Sequence, residues 1–363
     1  MTSLYLYFII INNMPEQNLK NILDELIKVL NPRVREVIEK RFGLRSVSCQ
    51  TLEAIGQNLG VTRERVRQIE ALGLKQLANK NVLEPLKPVF EIIEKHLIDY
   101  GGVRREDYFL KELSQLFSLK EKNNENLISF VLALRQERFI YFKETPKWQT
   151  VWALNNSVYN NALSLGESLK KKLIEQNVPI PKEAILKTAA SLGGLPAQAG
   201  EISVKALFSY IELCREIAQN PFGEWGFIGS PEVSPKGVKD KAYLIFKKEK
   251  KPLHFAQVAN LINQVAFLGR KAHPQTVHNE LIKDPRFVLV GRGIYALADW
   301  GYEPGTVRDV LVSTLKNAEG GLAKEEIIKI VQTKRLVKEN TILLNLQNKK
   351  VFKKIDNERF TLL

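Results

Sequence analysis

Apolar side chains recur at three- and four-residue steps from the first third of the chain onward. Leu19, Ile22, Leu23, Leu26, Ile27 and Leu30 form one such stripe, the signature of an amphipathic helix. Val34, Val37, Ile38 and Phe42 continue it after an Asn31-Pro32 break, and Gly43 stands where a helix C-cap is expected. Leu52, Ile55 and Leu59 mark a third helix, and Val66 and Ile69 a fourth. The four predict one helical unit ending near Lys80.

Beyond it the pattern repeats about every 70 residues. Each repeat opens on a periodic helix: Val89–Tyr100, Ser164–Gln176, Gly237–Lys248 and Thr306–Ala318. A Gly- or Pro-marked corner (Gly101-Gly102, Pro179, Pro252, Gly320-Gly321) then feeds a second helix. A third follows at Glu125–Glu137, Val204–Ala218, Pro274–Lys283 and Asn340–Asn348. Each closes on β-prone, aromatic-bearing residues: Phe139–Phe142 with Val151–Leu154, Trp225–Ile228, Phe287–Val290 with Ile294–Leu297, and Val351–Ile355 with Arg359–Leu362. Three helices and a hairpin of this size predict a winged helix. The hairpin is clearest in 84–155 and 236–303, whereas 156–235 is irregular around Leu192–Gly200. The expected fold class is mainly α with α+β winged helices: a helix-turn-helix head over 14–83, then winged-helix-like units over 84–155, 156–235, 236–303 and 304–363. Met14 just precedes the first stripe, so residues 1–13 are expected to be a non-native or disordered start.

Composition narrows the function classes. Of the 363 residues, 44% are hydrophobic and 26% charged, as in globular chains. The apolar run Leu4–Ile11 is far shorter than the ~20 residues of a membrane span. No membrane partner is expected, and Cys49 and Cys214, without nearby Cys or His, predict a reducing cytoplasm and no disulfide framework. The net charge of +14 points to a polyanion. Over the five predicted units it divides as +4, 0, −1, +6 and +5, a basic head and tail around a neutral middle. No HExxH, phosphate-binding loop, GxSxG or paired-carboxylate signature occurs, and the four His lack partners in register. Neither catalysis, metal, cofactor nor small-molecule substrate is expected.

The head's fourth helix carries the sharpest chemistry. A helix-turn-helix needs a small residue where its helices cross, a Gly in the turn and a buried aliphatic in the second helix. Gly56, Gly60 and Val66 supply these, and Thr62 is a good N-cap. With Val66 and Ile69 buried, Arg63, Glu64, Arg67, Gln68 and Ala71 fall on the opposite face. Arg can donate twice to guanine, Glu can accept from cytosine and Gln can pair with adenine, while Thr62, Arg65 and Arg67 can reach phosphates. The competing reading, a solvated face of mixed charge, leaves unexplained why those charges crowd the first turn of this helix.

The run Leu30-Asn31-Pro32-Arg33 through Arg41-Phe42-Gly43-Leu44, then Thr51–Gly56 and Leu59–Glu70, resembles region 4 of primary bacterial sigma factors over residues 19–80. That resemblance implies a segment that reads a minus-35 promoter element and docks on the β-flap of RNA polymerase. Carried over by position, Arg63, Glu64 and Gln68 would touch bases. Arg41, Leu52 (through its backbone amide), Thr62, Arg65 and Arg67 would hold phosphates. Ala71-Leu72-Gly73-Leu74 stands where that family has Ala-Lys-Ala-Leu, and Gly73 weakens the helix by up to ~1 kcal/mol. Nothing elsewhere resembles the regions that bind the minus-10 element.

Pro252–Ala259, His273–Leu281, Phe287–Val290 and Gly293–Leu297 are similar to the HARE-HTH winged helix, a family that includes a domain of the RNA polymerase delta subunit. The likeness implies a DNA or partner surface from Arg270, Lys271, Gln275, Thr276, His278 and Asn279, with Arg292 on the wing; a protein-binding module carries equal weight. The expected function is a sigma-like, sequence-specific promoter-binding initiation protein that contacts polymerase in the cytoplasm, at the nucleoid. The alternative is a delta-like protein that docks on polymerase without itself reading DNA.

Overall fold

The computed structural model describes residues 16–46, 48–119, 123–192, 204–265, 267, 269, 271–316, 318, 320–355 and 359–363. The expectations on residues 1–13, on Arg270 and on most of Leu192–Gly200 lie outside them.

The head begins with α1 (Glu16–Ile27) and α2 (Pro32–Phe42). Asn31 caps α2 by accepting the Val34 amide at 2.9 Å, and Gly43 ends it at φ +61°, which a glycine adopts without strain. The helix-turn-helix pair is α3 (Leu52–Leu59) and α4 (Arg63–Leu77), each opened by a threonine. Thr51 accepts the Ala54 amide at 3.1 Å and Thr62 the Arg65 amide at 3.2 Å. Gly56 is small for a steric reason, because a Cβ there would sit 2.7 Å from the Val61 carbonyl oxygen. A short helix, α5 (Lys80–Leu83), leads out of the head.

Gly73 changes meaning in three dimensions. It lies buried where α4 crosses α2, and a Cβ on it would come within 2.8 Å of Val34 Cγ1 and 3.1 Å of Ile38 Cγ1. Its helix-weakening effect therefore accompanies a close crossing. Gly73→Val should destabilise the head by about 2 kcal/mol, since overpacking outweighs the gain in helix propensity. Urea melts check this, and a more stable variant would contradict the packing argument.

Four repeats follow with one common order. The first holds α6 (Lys87–Asp99), β1 (Val103–Arg105), α7 (Glu106–Leu116), α8 (Asn124–Ala133), β2 (Ile140–Phe142) and β3 (Val151–Ala153). The second holds α9 (Asn156–Gln176), α10 (Lys182–Ser191), α11 (Val204–Leu213), β4 (Ile217–Gln219) and β5 (Trp225–Phe227). In the third come α12 (Val238–Glu249), β6 (Leu253–His254), α13 (Phe255–Gln264), α14 (Pro274–Lys283), β7 (Phe287–Gly291) and β8 (Ile294–Leu297). The last comprises α15 (Val307–Lys316), β9 (Leu322–Ala323), α16 (Lys324–Lys334), α17 (Glu339–Leu346), β10 (Phe352–Lys354) and β11 (Arg359–Leu362). In the first, third and fourth repeats the last strand lies centrally, antiparallel to the other two. The second keeps the same plan, with a single Ile180–Trp225 bridge in place of its first strand.

Three element boundaries differ from expectation by more than two residues. α9 starts eight residues before Ser164, at a turn where Asn155 accepts the Val158 amide. The third helix of the second repeat stops at Leu213, and Ile217–Gln219 becomes the missing strand of its hairpin. Residues 134–137 leave the helix of the first repeat, which ends at Ala133.

The chain packs as two compact units, divided near residue 219. Within the first, one apolar core runs from Leu19 of the head to Trp152 of the first repeat. Phe42 and Phe130 meet across it, ring centroids 5.1 Å apart, and the Asn123 amide donates to the Gly43 and Leu44 carbonyls at 3.1 and 3.0 Å. On β3 successive side chains face opposite sides, so Trp152 joins this core while Val151 and Ala153 join the core of the second repeat. Head, first repeat and second repeat are thus interlocked. In the second unit, the third and fourth repeats have separate cores, and the Leu336 amide donates to the Val290 carbonyl between them. Cys49 is exposed and Cys214 buried, both as free thiols.

Candidate nucleic-acid interface

The helix α4 presents its polar face as its sequence period dictates. Val66, Ile69, Gly73 and Leu77 are buried, while Thr62, Arg63, Glu64, Arg65, Arg67, Gln68 and Ala71 are exposed. The exposed set begins at the capped first turn, where unpaired amides and the helix dipole favour an anion. An α-helix of this kind fits the ~12 Å width of the DNA major groove.

Without a ligand, the side chains on that face pair with one another. Arg67 donates from Nε to Glu64 Oε2 at 2.9 Å and from Nη2 to Glu64 Oε1 at 2.8 Å. Gln68 Nε2 donates to Glu64 Oε1 at 3.4 Å and its Oε1 accepts from Arg65 Nη1 at 3.2 Å. The hydrogen bond from Arg67 holds the Glu64 carboxyl below the usual carboxylate range, and the same bond raises Arg67. Both groups stay charged at neutral pH. Because the pair is exposed, it is worth little and either partner can be taken over by a base or phosphate.

The other expected phosphate contacts are placed unequally. Leu52 is the first residue of α3, so its amide belongs to the helix's open N-terminal end, while its side chain packs on the core. Arg41 is already engaged: its Nε donates to Glu70 Oε1 at 3.1 Å and its Nη1 to the Gln50 carbonyl at 3.3 Å, tying α2 to α4. It remains 37% exposed, which leaves donors for a phosphate beside its structural bonds. Glu70 as the anchor of Arg41 carried no sequence signal, because the two lie 29 residues apart.

In the third repeat Lys271, Gln275, Thr276, Asn279 and Arg292 are exposed. His278 is half-buried, its Nδ1 in hydrogen-bond contact with the Tyr295 hydroxyl at 3.1 Å and its ring 4.6 Å from that of Phe255. The aliphatic spacing of α14, with Val277 and Leu281 buried, puts His278 at the edge of the core. His254 and His273 are spent as N-caps of α13 and α14. Among the described residues no cluster of three His, Cys, Asp or Glu is placed to hold a metal, and no helix is long and apolar enough to cross a membrane.

Residues 26–79 match the family described as Sigma-70, region 4. RNA polymerase sigma factor SigA of Microcystis aeruginosa is 46% identical over 69 residues, 19% of this chain and 16% of that protein. SigA of a Nostoc species is 44% identical over 75 residues, 21% of this chain and 18% of its own length. The Listeria monocytogenes SigA is 41% identical over 73 residues, 20% of each. The chain thus spans no more than a fifth of these relatives, and the matched stretch is the head, with α3 and α4 inside it.

Proposed function

We propose that the chain is a sigma-like transcription initiation protein whose head reads a promoter minus-35-type element. In this reading it also contacts the RNA polymerase core, at the β-flap, and works in the cytoplasm at the nucleoid. The observation that carries the reading is α4: a capped N-terminal turn presenting Arg63, Glu64, Arg67 and Gln68 outward. It lies in the segment that matches region 4 of the sigma-70 family. The four repeats are winged helices in this reading, supported by the helix–strand–helix–helix–strand–strand order of three of them and by the Ile180–Trp225 bridge that stands for the first strand in the second, and 236–303 is of HARE-HTH type. No step of this function calls on a catalytic residue.

The division between base and phosphate contacts is testable residue by residue. Arg63→Ala and Gln68→Ala should each cost about 1–3 kcal/mol of binding and relax preference at one base pair. Arg67→Ala should weaken binding to all sequences alike and flatten the dependence on salt. Titration of labelled duplexes bearing single base-pair changes separates the two behaviours. Identical behaviour of all three variants would remove the distinction between reading and anchoring.

A further inference from the structure

The two acids of α4 are used differently. Glu64 stands exposed on the first turn and pairs with Arg67 on the same helix. Glu70 is half-buried and turns back to α2, where its Oε1 accepts from Arg41 Nε at 3.1 Å. The close crossing at Gly73 brings it within reach. Ile38 lies against Gly73, and Arg41 and Glu70 each stand three residues from that contact, on the same faces of their helices.

The same guanidinium also holds the entry to α3. Arg41 Nη1 donates to the Gln50 carbonyl at 3.3 Å, and the Gln50 amide donates back to the Lys40 carbonyl at 2.9 Å. Gln50 directly precedes Thr51, the N-cap of α3. A single side chain thus joins α2, the reading helix α4 and the start of α3, and its remaining N–H groups form no hydrogen bond with a described residue.

We propose that Glu70 is a positioning residue for DNA binding, holding the Arg41 guanidinium in place so that a phosphate meets a cation already ordered. The inference rests on the reading of the head as a DNA-binding unit, and concerns a residue that touches no DNA itself. A free arginine samples many rotamers, and freezing it on binding weakens affinity; an arginine fixed beforehand avoids that loss. The sign of the effect is diagnostic. A carboxylate beside a phosphate anchor repels the phosphate, so an acid without a positioning role would raise affinity when neutralised. Loss of Glu70's hydrogen bond should lower it instead.

The experiment measures affinity of the full chain for a mixed-sequence DNA duplex, comparing Glu70→Met with Glu70→Gln. Both variants remove the charge and keep the length of the side chain, but only Gln keeps an oxygen that accepts from Arg41 Nε. Glu70→Met should bind about three- to tenfold more weakly than Glu70→Gln, the factor set by immobilising one long side chain. Base-pair preference should be the same in both, and Glu70→Gln should bind at least as tightly as the wild type. On an Arg41→Ala background, whose salt dependence should be flatter by about 0.9 in log–log slope, the two Glu70 variants should bind alike, because Glu70 acts through Arg41. Equal affinity of Glu70→Met and Glu70→Gln on the wild-type background overturns the proposal and leaves the head a DNA reader. So does a difference between them that persists without Arg41. A wild-type chain that binds no duplex overturns the reading of the head and this role with it.

Discussion

Phe130→Ala will cost about 3–5 kcal/mol, and the loss will appear in the head as well as in the first repeat that contains Phe130. The side chain is fully buried and meets Phe42 at 5.1 Å in a core that runs without interruption from Leu19 to Trp152. Truncating a large buried aromatic forfeits its transfer energy and leaves a cavity that rigid neighbours fill only in part. Close polar contacts limit that collapse. Asn123 holds the Gly43 and Leu44 carbonyls, and a Cβ on Gly43 would stand 2.6 Å from Asn126 Nδ2. Hydrogen exchange should show the amides of α2 losing protection together with those of α8. Faster exchange confined to α8 and the first repeat would mean that the head is an independent folding unit.

Arg104→Ala should be about as damaging, for an electrostatic reason. Arg104, 7% exposed on β1, donates to Glu112 Oε1 and to Glu212 Oε2, both at 2.6 Å. Glu112 also meets His96 Nε2 at 3.0 Å, and the Arg104 guanidinium lies 4.2 Å from the centre of the Tyr100 ring. Removing the arginine strands two partly buried carboxylates where the second repeat docks, at a cost of about 3–5 kcal/mol. Arg104→Met with Glu112→Gln and Glu212→Gln, which removes the charges together, should cost much less. Burial disfavours ionisation of Glu112, but the hydrogen bonds from His96 and Arg104 and the charge of Arg104 outweigh it and pull the carboxyl down to about 2. A depressed carboxyl stabilises fully above its ordinary value of 4.5 and loses that effect as pH falls towards 2. The wild-type chain should therefore lose about 3 kcal/mol from this group between those values. The Arg104→Ala chain should lose less over that interval, having forfeited part of the stabilisation already. Urea melts at stepped pH measure both, and parallel acid curves would contradict the assigned pairing.

The head was legible because its signals are local. Asn31, Gly43, Thr51, Gly60 and Thr62 each act within about four residues, as N-caps or C-caps, and each stands where its chemistry predicts. The exposed face of α4 follows from the 3.6-residue period alone. What the period does not reveal is which partner a buried face meets. Leu127, Ile128, Phe130, Val131 and Leu132 crowd α8 on more than one side, a sign of a helix buried all round, yet nothing local says that the head covers it. Gly73 reads as a weak point in a helix until Val34 and Ile38, more than 30 residues away, are brought against it. Arg104 carries no sequence signal for the same reason, since Glu212 lies 108 residues further on. His278 likewise gives no local sign of the aromatic rings of Phe255 and Tyr295 beside it.

In the proposed function the chain itself reads DNA sequence through α4. Selection of bound fragments from a random duplex pool, with the full chain and no polymerase present, tests it most directly. The recovered fragments should share a short motif, and the Gln68→Ala chain should return the same motif with preference relaxed at one position. Fragments without a common motif, together with undiminished capture of the chain by core polymerase, would contradict it and identify a polymerase-docking protein that does not read DNA.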